Sequence, residues 1–140
     1  MSRLLLVSAA ALIDDAGRVL LARRPAGKPL AGLWELPGGK LEPGETPEAA
    51  LVRECAEELG LVLAPADLEP LTFASHGYPD FHLLMAVFRC RRWQGTPRPT
   101  EGQAIRWFAA DELDGLDLPP ADRRLIAPLK RAMAAAVNPI

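Results

Sequence analysis

Short apolar runs separated by turn-forming residues dominate this chain. The first covers residues 4–13, ends at the polar turn 14–17 and is followed at once by RVLLARR. Two such runs around a short turn predict a β-hairpin, with strands at 3–13 and 18–24. The same signals predict further strands at 34–36, 68–76, 81–92 and 103–108, with 77–80 as the turn of a second hairpin and 38–45 as a loop.

Two segments are helical instead, one from about 46 to 59 and one from about 121 to 136. Thr46 suits the N-cap of the first helix, Pro47 its first position, and Gly60 its end. Strands mixed with two helices predict layers of helix on sheet, an α/β or α+β domain. Residues 1–140 contain no long linker or repeat, so we expect a single domain.

The N-terminal run has a second interpretation. Arg3 followed by ten apolar or small residues is superficially similar to a secretory signal peptide. The run leads directly into the predicted turn and second strand, which favours a buried strand. No run is long enough to span a bilayer.

Composition narrows the class of protein further. The chain has 140 residues, of which 49% are hydrophobic and 24% charged, which is typical of a soluble globular domain. A net charge of -2 gives no indication of direct nucleic-acid binding. Two cysteines, Cys55 and Cys90, are too few for a disulfide scaffold and suit the reducing cytoplasm.

The first helix carries an unusual acidic face. At ~100° per residue, Glu54, Glu57 and Glu58 fall within an arc of about 100°. Such a face is often merely solvated, and it can also contact a protein partner. The preceding loop, however, contains Gly38, Gly39 and Gly44, and carboxylates beside exposed carbonyls are suitable ligands for Mg²⁺. Metal-assisted phosphate chemistry is therefore a third alternative.

A phosphate-binding P-loop is excluded. Residues 39–46 read G-x-x-x-x-G-E-T, with Glu45 at the position where that loop needs a lysine. The substitution inverts the charge that would contact the phosphates.

Residues 39–61 resemble the Nudix box, G-x5-E-x7-R-E-U-x-E-E-x-G-U, in which U is a bulky apolar residue. Cys55 is a small hydrophobe at the first U, and the other eight positions match. The order of LARR, LWELPGGK, TEGQ and PPADRRLIAPLKR is similar to the MutT-like branch of that family. The resemblance implies the Nudix fold, a mixed β-sheet sandwiched between helices.

The resemblance also implies an activity and a cofactor. Family members of this branch hydrolyse oxidised dGTP to the monophosphate and pyrophosphate, which sanitises the nucleotide pool. The cofactor is Mg²⁺ or Mn²⁺, and the implied ligands are Glu54, Glu57, Glu58, Glu101 and the carbonyl of Gly38. Glu101 has an alternative interpretation as an exposed loop acid.

In the implied mechanism, a metal-bound water attacks phosphorus and a carboxylate accepts its proton. Glu54 is the preferred base, with Glu101 as a rival. Arg53 is expected to orient Glu45 and Glu57. Glu57 and Glu58 complete the implied catalytic group.

The residues expected to bind substrate lie in four separate segments: Arg24, Glu35, Leu36, Pro37, Gly38, Lys40, Phe81 and Asp122. Arg24 contacts phosphate or forms a solvated basic pair with Arg23. Phe81 stacks on the base or fills the core. Asp122 stands where this branch has an asparagine that reads oxidised guanine, and is otherwise a helix N-cap. Ionised aspartate only accepts hydrogen bonds, so a donor requires a raised pKa.

Two other functions stay open at this point. The PPAD segment is also similar to Nudix enzymes that hydrolyse CTP and modified pyrimidine triphosphates. A non-catalytic nucleotide-binding Nudix module is less consistent with the intact glutamates. The expected partner is a nucleoside triphosphate, not a membrane or nucleic acid, and the protein is expected to be a monomer or homodimer.

Overall fold

The computed structural model describes residues 3–27 and 31–136. Within them the elements follow the order β1 (Arg3–Leu12), β2 (Val19–Arg23), β3 (Trp34–Glu35), β4 (Gly38–Lys40), α1 (Pro47–Leu59), β5 (Glu69–Gly77), β6 (Phe81–Cys90), β7 (Ala104–Phe108), α2 (Pro120–Arg123) and α3 (Ile126–Ala136). Short 3₁₀ turns cover Pro65–Asp67 and Ala110–Gly115. No helix in these ranges is long and apolar enough to cross a membrane.

Strand β1 lies inside the larger sheet, whose order is β4-β1-β6-β5. It runs parallel to β6 along its whole length and antiparallel to β4. Strands β5 and β6 form the second predicted hairpin, closed by a bond from Tyr78 N–H to the Phe81 carbonyl at 2.8 Å. The N-terminal apolar run is therefore a strand, and the sheet is mixed as expected.

The first predicted hairpin is confirmed at its turn, but its pairing does not extend along the two strands. Strand β2 belongs to a second, antiparallel sheet of order β3-β2-β7. An isolated bridge between Ile13 and Val19, followed by a bond from Asp14 N–H to the Arg18 carbonyl at 3.0 Å, joins β2 to the end of β1. Because β4 and β6 lie on either side of Val7, Ser8 and Ala9, β2 cannot pair with that part of β1.

The segment 38–45 also differs from the expectation of a loop. Its first three residues form β4, with Gly38, Gly39 and Lys40 opposite Ala9, Ser8 and Val7. Glycine-rich strands give a weak strand signal in a sequence because strand propensity favours β-branched and aromatic residues. The remaining residues, 41–45, form the expected loop.

Helix α1 matches its prediction, whereas the C-terminal helix is divided. Thr46 caps α1, and Gly60 ends it with a φ of 68°. Helices α2 and α3 are separated at Arg124 and Leu125. Pro128 explains the break, since it has no N–H to bond the carbonyl four residues earlier and its ring clashes with that carbonyl.

The two faces of β1 contribute to two separate cores. Ala9, Ala11 and Ile13 pack with residues of α3, and Ala10 and Leu12 pack with residues of α1. The fully buried residues of α1 include Leu51, Cys55 and Leu59, and the buried ones of α3 include Leu129 and Met133. Each buried leucine contributes roughly 1.5–3 kcal/mol. Sheet between helices is the architecture implied by the resemblance.

Candidate active site

The loop 41–45 and the first turn of α1 form one hydrogen-bonded unit. Glu42 N–H donates to Glu45 Oε1 at 2.8 Å, and Glu45 N–H donates to the Glu42 carbonyl at 2.9 Å. Thr46 Oγ1 accepts from Ala49 N–H at 3.1 Å, as an N-cap does. The loop therefore holds the Glu45 carboxylate in a defined position beside α1.

Arg53 is the centre of the ion pairs in this region. Its Nε and Nη2 donate to the two oxygens of Glu45 at 2.7 and 2.9 Å, a bidentate pair. Its Nη1 donates to Glu54 Oε1 at 2.8 Å and lies 3.6 Å from Glu57 Oε2. Arg53 is the main cause that lowers the pKa of Glu45 to about 2, and Glu45 in turn raises the pKa of Arg53. Arg53 thus orients Glu45 and Glu54 more directly than Glu57.

Gly39 leaves space for the carboxylate of Glu54. A Cβ atom on Gly39 would lie 2.7 Å from both Cδ and Oε1 of Glu54. Gly39 has no positive φ, so this close approach alone accounts for a glycine here. The backbone of β4 and the acidic face of α1 are therefore in direct contact.

Gly38 meets two requirements at once. Its φ of 151° disfavours other residues, and a Cβ atom would lie 2.1 Å from the Ser8 carbonyl oxygen. Its N–H donates to Glu58 Oε2 at 3.3 Å. Gly38 therefore contacts Glu58, the last glutamate of the box, through its backbone.

Glu58 lies among several other carboxylates. Burial is the largest cause that raises the pKa of Glu58 to about 8, followed by the charge of Glu54 and, more weakly, of Glu101 and Glu35. The N–H of Gly38 opposes this effect. Like charges therefore crowd this part of the molecule, as the acidic face of α1 suggested.

Glu101 and Glu57 are the more exposed of the predicted metal ligands. Glu101 lies in the loop 98–103, which packs against the end of α1. The side chain of Glu57 is 55% exposed, compared with 17% for Glu54. Within the described residues, no group of three or more His, Cys, Asp or Glu side chains lies close enough together to hold a metal ion as placed.

A cavity of about 410 Å³ joins residues from both sides of this site. We call it the acidic cavity; its lining includes Arg24, Glu35, Gly38, Glu58, Glu101 and Gln103. Leu36 and Pro37 also line it and are themselves buried. The distant Glu101 and the box residue Glu58 thus face one space.

A second cavity, of about 420 Å³, adjoins the first. We call it the aromatic cavity; its lining includes Arg24, Glu35, Lys40, Tyr78, Phe81 and Asp122. Arg24, Glu35, Leu36 and Gly38 line both cavities. The two cavities are therefore adjacent and share these residues as a common wall.

Arg24 and Glu35 form an ion pair at this boundary. Arg24 Nε donates to Glu35 Oε1 at 2.8 Å. Strand pairing explains the contact, because β2 and β3 place Ala22 opposite Glu35. Arg24 therefore does not form a solvated basic pair with Arg23, whose guanidinium lies over the ring of Trp34 at 5.0 Å from its centroid.

Asp122 faces the aromatic cavity rather than capping a helix. Pro119 is the N-cap of α2, and Asp122 is the third residue inside that helix. The N-cap interpretation is therefore wrong for α2. Burial is the main cause that raises the pKa of Asp122 to about 7, and the charge of Glu35 adds to it. Near neutral pH a substantial fraction of Asp122 is protonated and able to donate a hydrogen bond.

Phe81 belongs to an aromatic pair at the start of β6. Its ring stacks on Tyr78 with centroids 5.0 Å apart and planes at 28°. Both residues are only partly buried, and both line the aromatic cavity. Phe81 is therefore not a core residue, and its ring is accessible from the cavity.

The comparisons with known proteins agree with this geometry. The NUDIX domain family model matches residues 8–128. The chain belongs to the Nudix hydrolase family. It is 37% identical over 118 residues to an Escherichia coli 8-oxo-dGTP diphosphatase, covering 84% of this chain and 90% of that protein. It is 36% identical over 140 aligned positions to an E. coli CTP pyrophosphohydrolase, covering 90% and 92%.

Solved structures show the same relationship. The solution structure of the E. coli ORF135 protein superposes with a TM-score of 0.81 at 34% identity, covering 99% of this chain and 95% of that one. The mixed sheet between helices is therefore the Nudix fold, as the Nudix box implied.

The residues present fit the divalent cation on which Nudix hydrolases generally depend. Mg²⁺ takes oxygen ligands and is commonly bound through one or two carboxylates plus waters and substrate phosphates. A tight cluster of three side chains is therefore not required. Glu54, Glu57, Glu58 and Glu101 would supply the carboxylates of such a site, and Gly38 would supply a carbonyl.

Two residues of this region are not predicted as site residues from the sequence. Tyr78 pairs with Phe81, and Gln103 bonds the end of α1. The TEGQ segment contains Gln103, but only Glu101 is an obvious metal ligand by residue type. The role of an uncharged amide depends on its bonding partners, which the sequence does not reveal.

Proposed function

We propose that this Nudix protein hydrolyses nucleoside triphosphates to a nucleoside monophosphate and pyrophosphate, with Mg²⁺ or Mn²⁺ as cofactor and 8-oxo-dGTP as the preferred substrate. The observation that carries the proposal is that the acidic and aromatic cavities lie side by side and share Arg24 and Glu35 in their linings. A nucleotide has the same division into a charged chain and an aromatic base. The resemblance to an 8-oxo-dGTP diphosphatase supports the choice of base.

The sign of the charge in the acidic cavity supports a metal cofactor. Glu35 and Glu101, together with Glu58 when it is ionised, line the cavity proposed for a polyanion, which they repel unless cations lie between them. When bound, the divalent cation neutralises the triphosphate and lowers the pKa of a coordinated water. Arg24, at the boundary of the two cavities, supplies protein positive charge beside the phosphates.

The protein residues orient the general base, which accepts the proton of the attacking water. Glu54 is the proposed general base, since Arg53 Nη1 holds one of its oxygens at 2.8 Å and so orients the carboxylate. Arg53 itself is held by both oxygens of Glu45. Water attacks the β-phosphorus, the bond from that phosphorus to the α–β bridging oxygen breaks, and the nucleoside monophosphate leaves.

Hydrolysis in ¹⁸O-labelled water tests this route. Attack at the β-phosphorus places the label in pyrophosphate, as the proposal expects. Label in the nucleoside monophosphate would instead mean attack at the α-phosphorus. Release of inorganic phosphate without pyrophosphate would contradict both.

Asp122 and the Tyr78–Phe81 pair are the proposed contacts to the base. The aromatic rings offer a stacking surface, worth ≈ 1–3 kcal/mol per base in proteins that bind single-stranded nucleic acids. A protonated Asp122 carries a donor and an acceptor, like the asparagine of the MutT-like branch. The O6 atom of guanine accepts a hydrogen bond, so a protonated Asp122 suits an oxidised guanine.

CTP is the second candidate substrate, and a specific observation favours it. Ionised Asp122 is an acceptor only, and the exocyclic amino group of cytosine is a donor. The relative named CTP pyrophosphohydrolase is also similar along 90% of this chain. Turnover of 8-oxo-dGTP, dGTP, CTP and 5-methyl-dCTP by the purified protein decides the question. A clear CTP preference would overturn our first choice.

We also propose that the enzyme works in the cytoplasm. Both cysteines, Cys55 and Cys90, are free thiols and buried. A reducing compartment suits such thiols, and it is also where the nucleotide pool lies.

A further inference from the structure

The loop 98–103 hydrogen-bonds the carboxyl end of α1. The last carbonyls of a helix lack partners within the helix and need donors from elsewhere. Arg98 N–H donates to the Leu59 carbonyl at 2.9 Å, and Thr100 Oγ1 donates to the Glu57 carbonyl. Thr100 N–H donates to the Glu58 carbonyl at 3.2 Å. The loop is thus attached to the backbone of the residues that carry the box carboxylates.

Gln103 adds a connection of a different kind. Its Nε2 donates to the Glu58 carbonyl at 2.8 Å, and its Oε1 accepts from Glu101 N–H at 2.9 Å. One planar amide group therefore joins two residues that lie 43 positions apart in the chain. Glu58, Glu101 and Gln103 all line the acidic cavity.

Only one orientation of this amide satisfies both partners. A carbonyl oxygen can only accept and a backbone N–H can only donate, so Nε2 must face Glu58 and Oε1 must face Glu101. A carboxylate at position 103 could accept from Glu101 but could not donate to Glu58. An aliphatic side chain could do neither. The position therefore specifically requires a side chain that donates at one atom and accepts at the other.

We propose that Gln103 is a positioning residue that holds Glu101 beside Glu58, so that both can bind the same divalent cation. The inference rests on the metal site of the proposed function. Gln103 acts through the two glutamates and not on the nucleotide. Outer residues of this kind commonly change metal affinity by 10–100-fold when they are replaced.

Gln103→Met is the principal variant, with Gln103→Glu as a second. Methionine keeps the approximate length and removes both hydrogen bonds, whereas glutamate retains the acceptor alone. Gln94→Met is the matched control, because Gln94 is exposed and its hydrogen bonds with Val62 use backbone atoms. Thermal unfolding in EDTA establishes whether each variant folds.

The decisive measurement is a titration of the metal-free protein with Mn²⁺ in the absence of nucleotide. Electron paramagnetic resonance reports the bound fraction of Mn²⁺. We expect the dissociation constant to rise about 10–100-fold in Gln103→Met and to stay unchanged in Gln94→Met. With nucleotide present, Gln103→Met should need more Mg²⁺ for half-maximal turnover. At saturating Mg²⁺ its KM for nucleotide should equal that of the wild type.

A double-mutant cycle separates positioning from simple support of the loop. If Gln103 acts through Glu101, adding Gln103→Met to Glu101→Gln should weaken Mn²⁺ binding much less than it does in the wild-type background. Wild-type metal affinity in both Gln103 variants would overturn the inference. A raised nucleotide KM at saturating Mg²⁺ with normal metal affinity would also overturn it, because Gln103 would then contact the substrate.

The outcome is distinguishable from a failure of the proposed function. Mn²⁺ binding reports on Gln103 whichever nucleotide is the substrate. Absence of pyrophosphate release by the wild type with every nucleotide would reject the proposed function, while the metal titration would still decide the role of Gln103.

Discussion

The carboxylate of Glu54 occupies the space that a side chain on Gly39 would need. A Cβ atom there would lie 2.7 Å from Glu54 Cδ, and the backbone of Gly39 is otherwise compatible with any residue. We predict that Gly39→Ala displaces Glu54, a flexible side chain, with little effect on the melting temperature. Mg²⁺-dependent pyrophosphate release should fall about 10–100-fold, the range found when metal-site geometry is disturbed.

Gly115→Ala is the control for that substitution. A Cβ atom on Gly115 would meet nothing within 4 Å of the described protein, and its φ is not positive. The variant should retain wild-type turnover. Equal activities in the two alanine variants would mean that the position of Glu54 is unimportant.

Glu57 provides a test of the metal assignment itself. Replacing its carboxylate by an amide removes a hard anionic oxygen while keeping the size of the side chain. Because the side chain is 55% exposed, Glu57→Gln should fold normally. We predict that it nearly abolishes Mg²⁺-dependent pyrophosphate release, measured with saturating nucleotide across a Mg²⁺ titration.

The matched change for Glu57 is Glu48→Gln, in the first turn of the same helix. It removes the same charge at a position that lies outside the arc of about 100° shared by Glu54, Glu57 and Glu58. Near wild-type turnover is expected there. Retained turnover in Glu57→Gln would reject Glu57 as a metal ligand.

The Nudix box could be placed from the sequence because its signals are local. Thr46, Pro47 and Gly60 delimit α1, and helix geometry alone puts the three glutamates on one side. Pairing between strands is not local. The apolar run of β1 gives no sign that β4 pairs with its middle and β6 with its whole length, so the sequence predicts a longer hairpin with β2 than the structure contains.

The surroundings of the Asp122 side chain likewise cannot be predicted from the sequence. The segment PPAD is compatible with an aspartate that caps the helix and with one that faces a cavity. That depends on where Glu35, 87 residues earlier, is placed by the second sheet. The sequence did supply the condition to test, namely that Asp122 needs a raised pKa to act as a donor.

Glu58 should make the stability of the metal-free protein depend on pH. Its pKa is about 8 in the folded state, against an ordinary value of 4.5. For a raised pKa, the associated stability is fully present below about 4.5 and is lost as pH rises through 8. At about 1.4 kcal/mol per pKa unit, the loss amounts to several kcal/mol.

Urea denaturation in EDTA of the wild type and Glu58→Gln measures this effect. The amide has no charge to bury, so the variant should become the more stable protein as the pH rises from 5 to 8.5. Other titrating groups are common to both proteins and cancel in the difference. A difference that stays constant over this range would mean that Glu58 titrates normally.

Asp122 should make the choice of base depend on pH. Below its pKa of about 7 the side chain can donate to O6 of an oxidised guanine, and above it the side chain can only accept, as from the amino group of cytosine. We predict that kcat/KM for 8-oxo-dGTP, divided by kcat/KM for CTP, falls as the pH rises from 6 to 9. The limiting slope is about tenfold per pH unit, because the protonated fraction falls at that rate.

Asp122→Asn removes the ionisation while keeping a donor and an acceptor. In this variant the ratio should stay constant with pH and match the low-pH preference of the wild type for guanine. Using the ratio cancels the titration of the triphosphate and of the metal-site carboxylates, which affect both substrates. A wild-type ratio that is independent of pH would show that Asp122 does not read the base through its proton, and the charge of Asp122 could then not account for specificity.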